Sequence, residues 1–140
     1  MIRPLAILSC ALCLGAPALA QSELAQRMAG VDCTNPTSQV EMTGCAALAF
    51  ERADEDLNLA YGMARDAMRA RDADLPADAV PGEIILRDAQ RAWIPFRDQA
   101  CEAESLLMRG GTGQSMLFHS CLERLTRQRT EDLRLIGELN

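Results

Sequence analysis

"CAALAFERADEDLNLAYGMARDAM", residues 45–68, decides the fold. Cys45, Leu48, Ala49, Ala53, Leu57, Tyr61, Ala64 and Met68 return to one face at steps of three and four, while acids and arginines fill the rest. That is the apolar stripe of an amphipathic helix. Upstream, Ser38 followed by Glu41 has the spacing of a capping box, in which each residue satisfies the other's backbone N–H. The pattern predicts a helix over 38–70.

The stretch after it, "RARDADLPADAV" (69–80), is polar and leads to Pro76, Pro81 and Gly82, which mark a connection between helices. A second helix is predicted over 82–108, with Leu86, Ala89, Trp93, Phe96 and Ala100 on one face. Pro95 lies inside it and cannot donate a backbone hydrogen bond, so a kink or a distorted turn is expected there. "RGGTG", 109–113, ends that helix, and a third is predicted over 114–137, with Phe118, Cys121, Leu122, Leu125, Leu133 and Ile136 as its stripe. No segment alternates like a strand. The expected fold is all-α, a small up-down-up bundle of three amphipathic helices.

The chain has 140 residues, which fits one domain. Its first twenty read as a secretory signal peptide: Arg3, an apolar run over 5–14, then Ala18-Leu19-Ala20 before Gln21. The expected division is a signal peptide at 1–20 and a helical domain at 21–140, with no membrane insertion of the mature chain. Cys10 and Cys13 leave with the signal, so six cysteines become four: Cys33, Cys45, Cys101 and Cys121. An even number in an oxidising compartment points to two disulfides. Of the three possible pairings the local ones, Cys33–Cys45 and Cys101–Cys121, are favoured, because each closes a short loop across a turn. Removing the +1 of Arg3 from the formal charge of −6 leaves −7. This argues against nucleic acid and anionic membrane surfaces as partners and favours a cationic partner.

The polar residues near the stripes admit a chemical and a scaffold reading. Arg97 falls about 40° from Trp93 on a helical wheel, beside the inner face, and Arg129 falls among the apolar positions of its own helix. A buried arginine needs partners. Asp54, Asn58, Arg97 and Arg129 are therefore read as structural polar ties, with Asp98 pointing elsewhere, and Tyr61, Trp93 and Phe96 as core aromatics. Met63, Met68, Met108 and Met116 read as gap-fillers of a core rather than copper ligands. No nucleophile–base pair, metal motif or cofactor loop is visible, so no catalytic residue, metal or cofactor is assigned. A metal or redox protein using Met116, His119 and the cysteines is the weaker alternative. The turn formed by Arg109, Gly110, Gly111, Thr112, Gly113 and Gln114 differs from the rest, since it packs nothing and could present a slim backbone to a partner.

These residues resemble the lysozyme inhibitor LprI-like family. "MTGCA" (42–46), "ADEDLNLAY" (53–61), "QRAWIPFRDQAC" (90–101), Gly110-Gly111 and "CLERLTRQR" (121–129) carry the likeness, over about 33–133. The lipid anchor that some members carry is missing. The resemblance implies an all-helical, disulfide-bonded envelope protein, periplasmic or secreted, that inhibits lysozyme without catalytic residues of its own. A cationic lysozyme is the implied partner, met by the 109–114 turn with Glu102 and Glu104 beside it. A generic envelope interaction module is the other binding-class reading. The sequence leaves the oligomeric state open.

Overall fold

A computed structural model describes residues 23–138. The signal peptide expected at 1–20 lies outside these residues. The described chain is helical, in the order α1 (Glu23–Arg27), α2 (Gln39–Asp72), α3 (Gly82–Ser105), a 3₁₀ turn (Leu106–Met108) and α4 (Gln114–Glu138), with no strand among the described residues. The three expected helices are present. The second stops at Ser105, and its last three predicted residues form the 3₁₀ turn instead. The short α1 was not expected; it buries none of its own residues.

The starts of α2 and α3 have physical causes. At α2 the capping box forms: Ser38 Oγ accepts from the Glu41 N–H at 3.2 Å and the Glu41 carboxylate accepts from the Ser38 N–H at 3.2 Å. The same carboxylate accepts from Thr37 N at 2.6 Å and Thr37 Oγ1 at 2.8 Å. These Thr37 bonds, the backbone one first, hold the Glu41 carboxyl below its ordinary range. At α3 the position before the helix is Pro81, whose side chain cannot cap. The carboxylate of Asp72, the last residue of α2, accepts instead from Gly82 N at 2.8 Å and Glu83 N at 3.0 Å. One helix end thus caps the start of the next, which fixes the connection between them.

α2 runs about 50 Å at 1.5 Å per residue and is the spine. Its buried positions include Ala53, Leu57, Ala60, Ala64 and Ala67, a 4-3-4-3 spacing of the kind that keeps one seam facing a partner helix. Four of those five are alanine, so α4 can lie close against α2. The two run parallel: Gln39 reaches Met116 near their starts, and Arg71 reaches the Ile136 carbonyl near their ends. Leu133 of α4, fully buried, packs with Leu57, Ala60, Ala64 and Leu86. α3 runs antiparallel to both, which gives the expected up-down-up order.

α3 shows one departure inside the core. Its buried positions are Leu86, Gln90, Arg97, Cys101 and Ser105, and partly buried Trp93 fills the gap between Gln90 and Arg97 on the same face. Phe96, expected in the core, is 62% exposed, and Ala89 is also exposed. The reason is Arg97, which takes the inward position and is satisfied there. Trp93 and Tyr61 do pack on the core cluster as partly buried rings. The helix is unbroken through Pro95. Ile94, Pro95 and Phe96 face outwards, so solvent can serve the Arg91 carbonyl that proline deprives of a donor. Of the four methionines read as gap-fillers, Met68 packs on the core. Met63 is exposed.

Both disulfides form in the favoured pairing. Cys33–Cys45 has a Cα–Cα distance of 5.5 Å and Cys101–Cys121 one of 5.4 Å, both in the ordinary range. They staple the same end of the bundle. The second is packed in a small cluster with Leu122, Phe50, Phe118 and Leu125.

Candidate functional site

Two polar constellations occupy the bundle. The first centres on Arg97, whose side chain is only 8% exposed. Its guanidinium donates to Asp54 of α2 at 3.2 Å, to Thr126 of α4 at 3.3 Å and to Asp98 at 2.9 Å. It also lies over the rings of Phe50 at 5.1 Å and Trp93 at 5.2 Å. Asp98 was expected to point away; the side chain instead curls back to the neighbouring guanidinium, which has donors to spare. Asn58 joins only through Asp54, at 3.3 Å within α2. Arg129 stands apart, donating to Gln90 of α3 at 3.0 Å. The four residues therefore make two separate ties. Thr126 and Gln90, which complete them, were not singled out in the sequence. Both sit at inward helical positions, which is the signal that could have found them. Every partner of Arg97 is an acceptor or a ring face, so this cluster ties three helices together.

The second constellation is the stapled end, built around the 109–114 turn. Gly110 adopts φ +75°, a left-handed conformation that disfavours any residue with a Cβ. Its N–H donates to Gln114 Oε1 at 3.0 Å. The Gly111 N–H donates to the Met108 carbonyl at 2.9 Å, and the Gln114 N–H to the Gly111 carbonyl at 3.2 Å. A Cβ on Gly113 would come within 2.7 Å of Met108 Sδ, so the methionine sulfur fills the hollow beneath that glycine. The turn is thus held by its own hydrogen bonds and by Met108. Below it lie the Cys101–Cys121 bridge and the Arg124–Glu104 ion pair at 2.6 Å, which join α3 to α4. At the tip Leu107 is 82% exposed, and Arg109, Gly110, Gly111 and Thr112 face solvent.

Beside the turn is an open cleft of about 350 Å³, lined among others by Glu102, Ser105, Gly110, Gly111, Phe118 and His119. His119 has a buried Nδ1 with no hydrogen-bond partner among the described residues, and burial lowers its pKa. The ring of Phe118 meets it edge-on at 5.5 Å. Met116 sulfur accepts from Gln39, and all four cysteines outside 1–20 are in disulfides, so none offers a thiolate to a metal. Of the two acids expected beside the turn, Glu104 is already paired with Arg124. Glu102 is exposed.

Residues 33–133 match the family described as lysozyme inhibitor LprI. The chain belongs to the LprI family. A protein of Rhizobium meliloti (strain 1021), described as uncharacterized, is 39% identical over 134 residues, which cover 94% of this chain and 92% of that protein. A crystal structure of a DUF1311 family protein from Pseudomonas putida KT2440 is similar, with a TM-score of 0.62 and 26% identity, covering 74% of this chain and 97% of that one. The LprI match spans both disulfides, the Arg97 cluster and the 109–114 turn. LprI membership and the two disulfides together suggest an extracytoplasmic protein. Among the described residues no helix is long and apolar enough to cross a membrane.

Proposed function

We propose that this LprI-family chain is an exported, non-enzymatic inhibitor of lysozyme, released near Ala20 into the periplasm or the medium, and that its 109–114 turn enters the enzyme's cleft. The match to the lysozyme inhibitor family over residues 33–133 carries the reading. The shape of the turn supports it. An inhibitor of this kind has only to occupy the groove between a lysozyme's two catalytic carboxylates and keep the polysaccharide out. A glycine-rich tip is narrow enough to do so. A tip locked by its own hydrogen bonds, a disulfide and an ion pair has little freedom left to lose on binding. The net charge of −7 left after removal of Arg3 with residues 1–20 would steer the chain towards a basic lysozyme. Glu102 and the exposed Leu107 would lie at the rim of such a contact. Arg109 would bring a guanidinium to the enzyme's carboxylates, the one local charge suited to them.

The test is a titration of the oxidised chain from Gln21 to Asn140 against an animal-type lysozyme, read as cell-wall lysis and, in parallel, as binding. Inhibition that weakens as salt rises is expected. The pair Arg109→Ala and Gly111→Trp should abolish it while leaving the helical circular dichroism unchanged. Undiminished inhibition by that double variant would remove the turn from the interface. No inhibition at a large excess of the unaltered chain would overturn the function itself and favour a generic envelope interaction module.

A further inference from the structure

At the end of the bundle away from both disulfides, α3 stands off from α2 and α4 and leaves an open groove of about 360 Å³. Met68, Leu86 and Ile136 form its floor, and Ile85 and Ala89 its wall. Gly82 keeps it open, since a Cβ there would come within 3.1 Å of Met68 Sδ. The lining is apolar with one exception. Arg129 stands at the side of the groove. Its Nε donates to Gln90, and among the described residues its guanidinium has no ion-pair partner. Arg65, Arg69, Arg87, Arg97, Arg124 and Arg134, by contrast, are each paired with a carboxylate. Arg129 is also half-buried, which raises the cost of leaving its charge uncompensated.

We infer that this groove binds a single-chain amphiphile with a carboxylate head, its alkyl chain along Met68, Leu86 and Ile136 and its head on Arg129. The two halves of the argument are independent. The floor calls for an apolar, slender ligand, and the volume lies at the small end of the range for small-molecule sites, ~300–1,000 Å³. The guanidinium calls for an anion, and its free fork matches a carboxylate best. With Nε held by Gln90, the fork is fixed in place before the ligand arrives. Asp72 and Glu83, beside Gly82 at one end of the groove, are engaged with the α3 N-terminus and with Arg65, so neither competes for Arg129.

Isothermal titration of the disulfide-intact chain with decanoate and with 1-decanol, both below their aggregation concentrations, tests this. One decanoate per chain is expected, with decanol binding at least tenfold more weakly. Arg129→Gln should bring decanoate down by about tenfold, to the level of the alcohol. Ala89→Trp, a change at an exposed position that fills the groove, should remove binding of both. Lysozyme inhibition should be unaffected by Ala89→Trp, because the 109–114 turn is at the other end; the two readings therefore fail separately. Equal binding of decanoate and decanol, binding that survives Ala89→Trp, or no binding of either would overturn the inference. So would self-association abolished by Ala89→Trp, which would assign the groove to a second copy of the chain.

Discussion

Replacing Arg97 by methionine removes the guanidinium and keeps much of the stem. Its effect can be worked from the surroundings. The carboxylates of Asp54 and Asp98 are 42% and 49% exposed, so water takes over their solvation and each loss is worth at most about 1 kcal/mol. Thr126 is different. It is fully buried, and losing the Arg97 donor leaves its hydroxyl oxygen unserved, at about 1–3 kcal/mol. Two cation–ring contacts also go, each on the order of 0.5–1 kcal/mol. Methionine returns some dispersion against Phe50 and Trp93. The expected net loss is about 2–3 kcal/mol, or ~8–12 °C in melting temperature for a domain of this size. Urea denaturation followed by far-ultraviolet circular dichroism measures it; Trp93 fluorescence is unsuitable because the indole touches the altered group. The decisive comparison is Arg97→Met with Thr126→Val. If the orphaned hydroxyl is the main cost, the second change should recover about 1–2 kcal/mol in the methionine background. A variant as stable as the parent, or no recovery from Thr126→Val, would refute the reasoning and show the cluster to be replaceable by apolar packing.

Three other changes probe other parts of the scaffold. Asp72→Ala strips the cap from α3 and should cost about 1 kcal/mol in a urea melt, with the first turn of α3 gaining amide exchange. Cys101→Ala with Cys121→Ala should cost roughly 2–4 kcal/mol and, on the proposed function, weaken lysozyme inhibition by loosening the turn. For His119, burial lowers the pKa from its ordinary 6.5, so the unfolded chain takes up its proton first as pH falls. This contribution to stability is therefore complete above about pH 6.5 and declines below it until the native imidazole also titrates. His119→Gln should flatten that decline in urea midpoints taken between about pH 7.5 and pH 5.

Much of the architecture was legible because it depends on local periodicity and chain distance. The alanine-rich stripe, the Ser38–Glu41 box, and cysteines separated by 12 and 20 residues each state their own consequence. Phe96 misled because a helical wheel places both it and Arg97 beside Trp93, and apolarity favours the phenyl ring. Phe96 and Arg97 are adjacent, and which of them turns inwards depends on Asp54 and Thr126, 43 and 29 residues away from Arg97. The Asp72 cap was invisible for a related reason: a capping residue is sought next to the helix it caps, and this one is ten residues upstream of Gly82. The glycines marked the 109–114 turn, but its stiffness comes from Met108 beneath Gly113 and from Gln114 reaching back, neither of which has a local pattern. The groove beside Arg129 depends on how far α3 stands from its neighbours, which is a matter of packing alone.

The two ends of the bundle are secured by different kinds of bond, and this sets how the molecule breathes. Both cystines tie the end that carries the 109–114 turn. The 72–82 connection is held by the Asp72 cap and the Arg65–Glu83 pair. Sub-global opening therefore starts where the bonds are reversible, with the first turns of α3 lifting from the spine. The cross-linked end stays assembled through such excursions, and even a fully denatured but oxidised chain keeps Cys101 beside Cys121. The turn can thus persist unchanged while the groove lined by Gly82, Ile85 and Ala89 widens and narrows, a division of labour between a fixed tip and a yielding base.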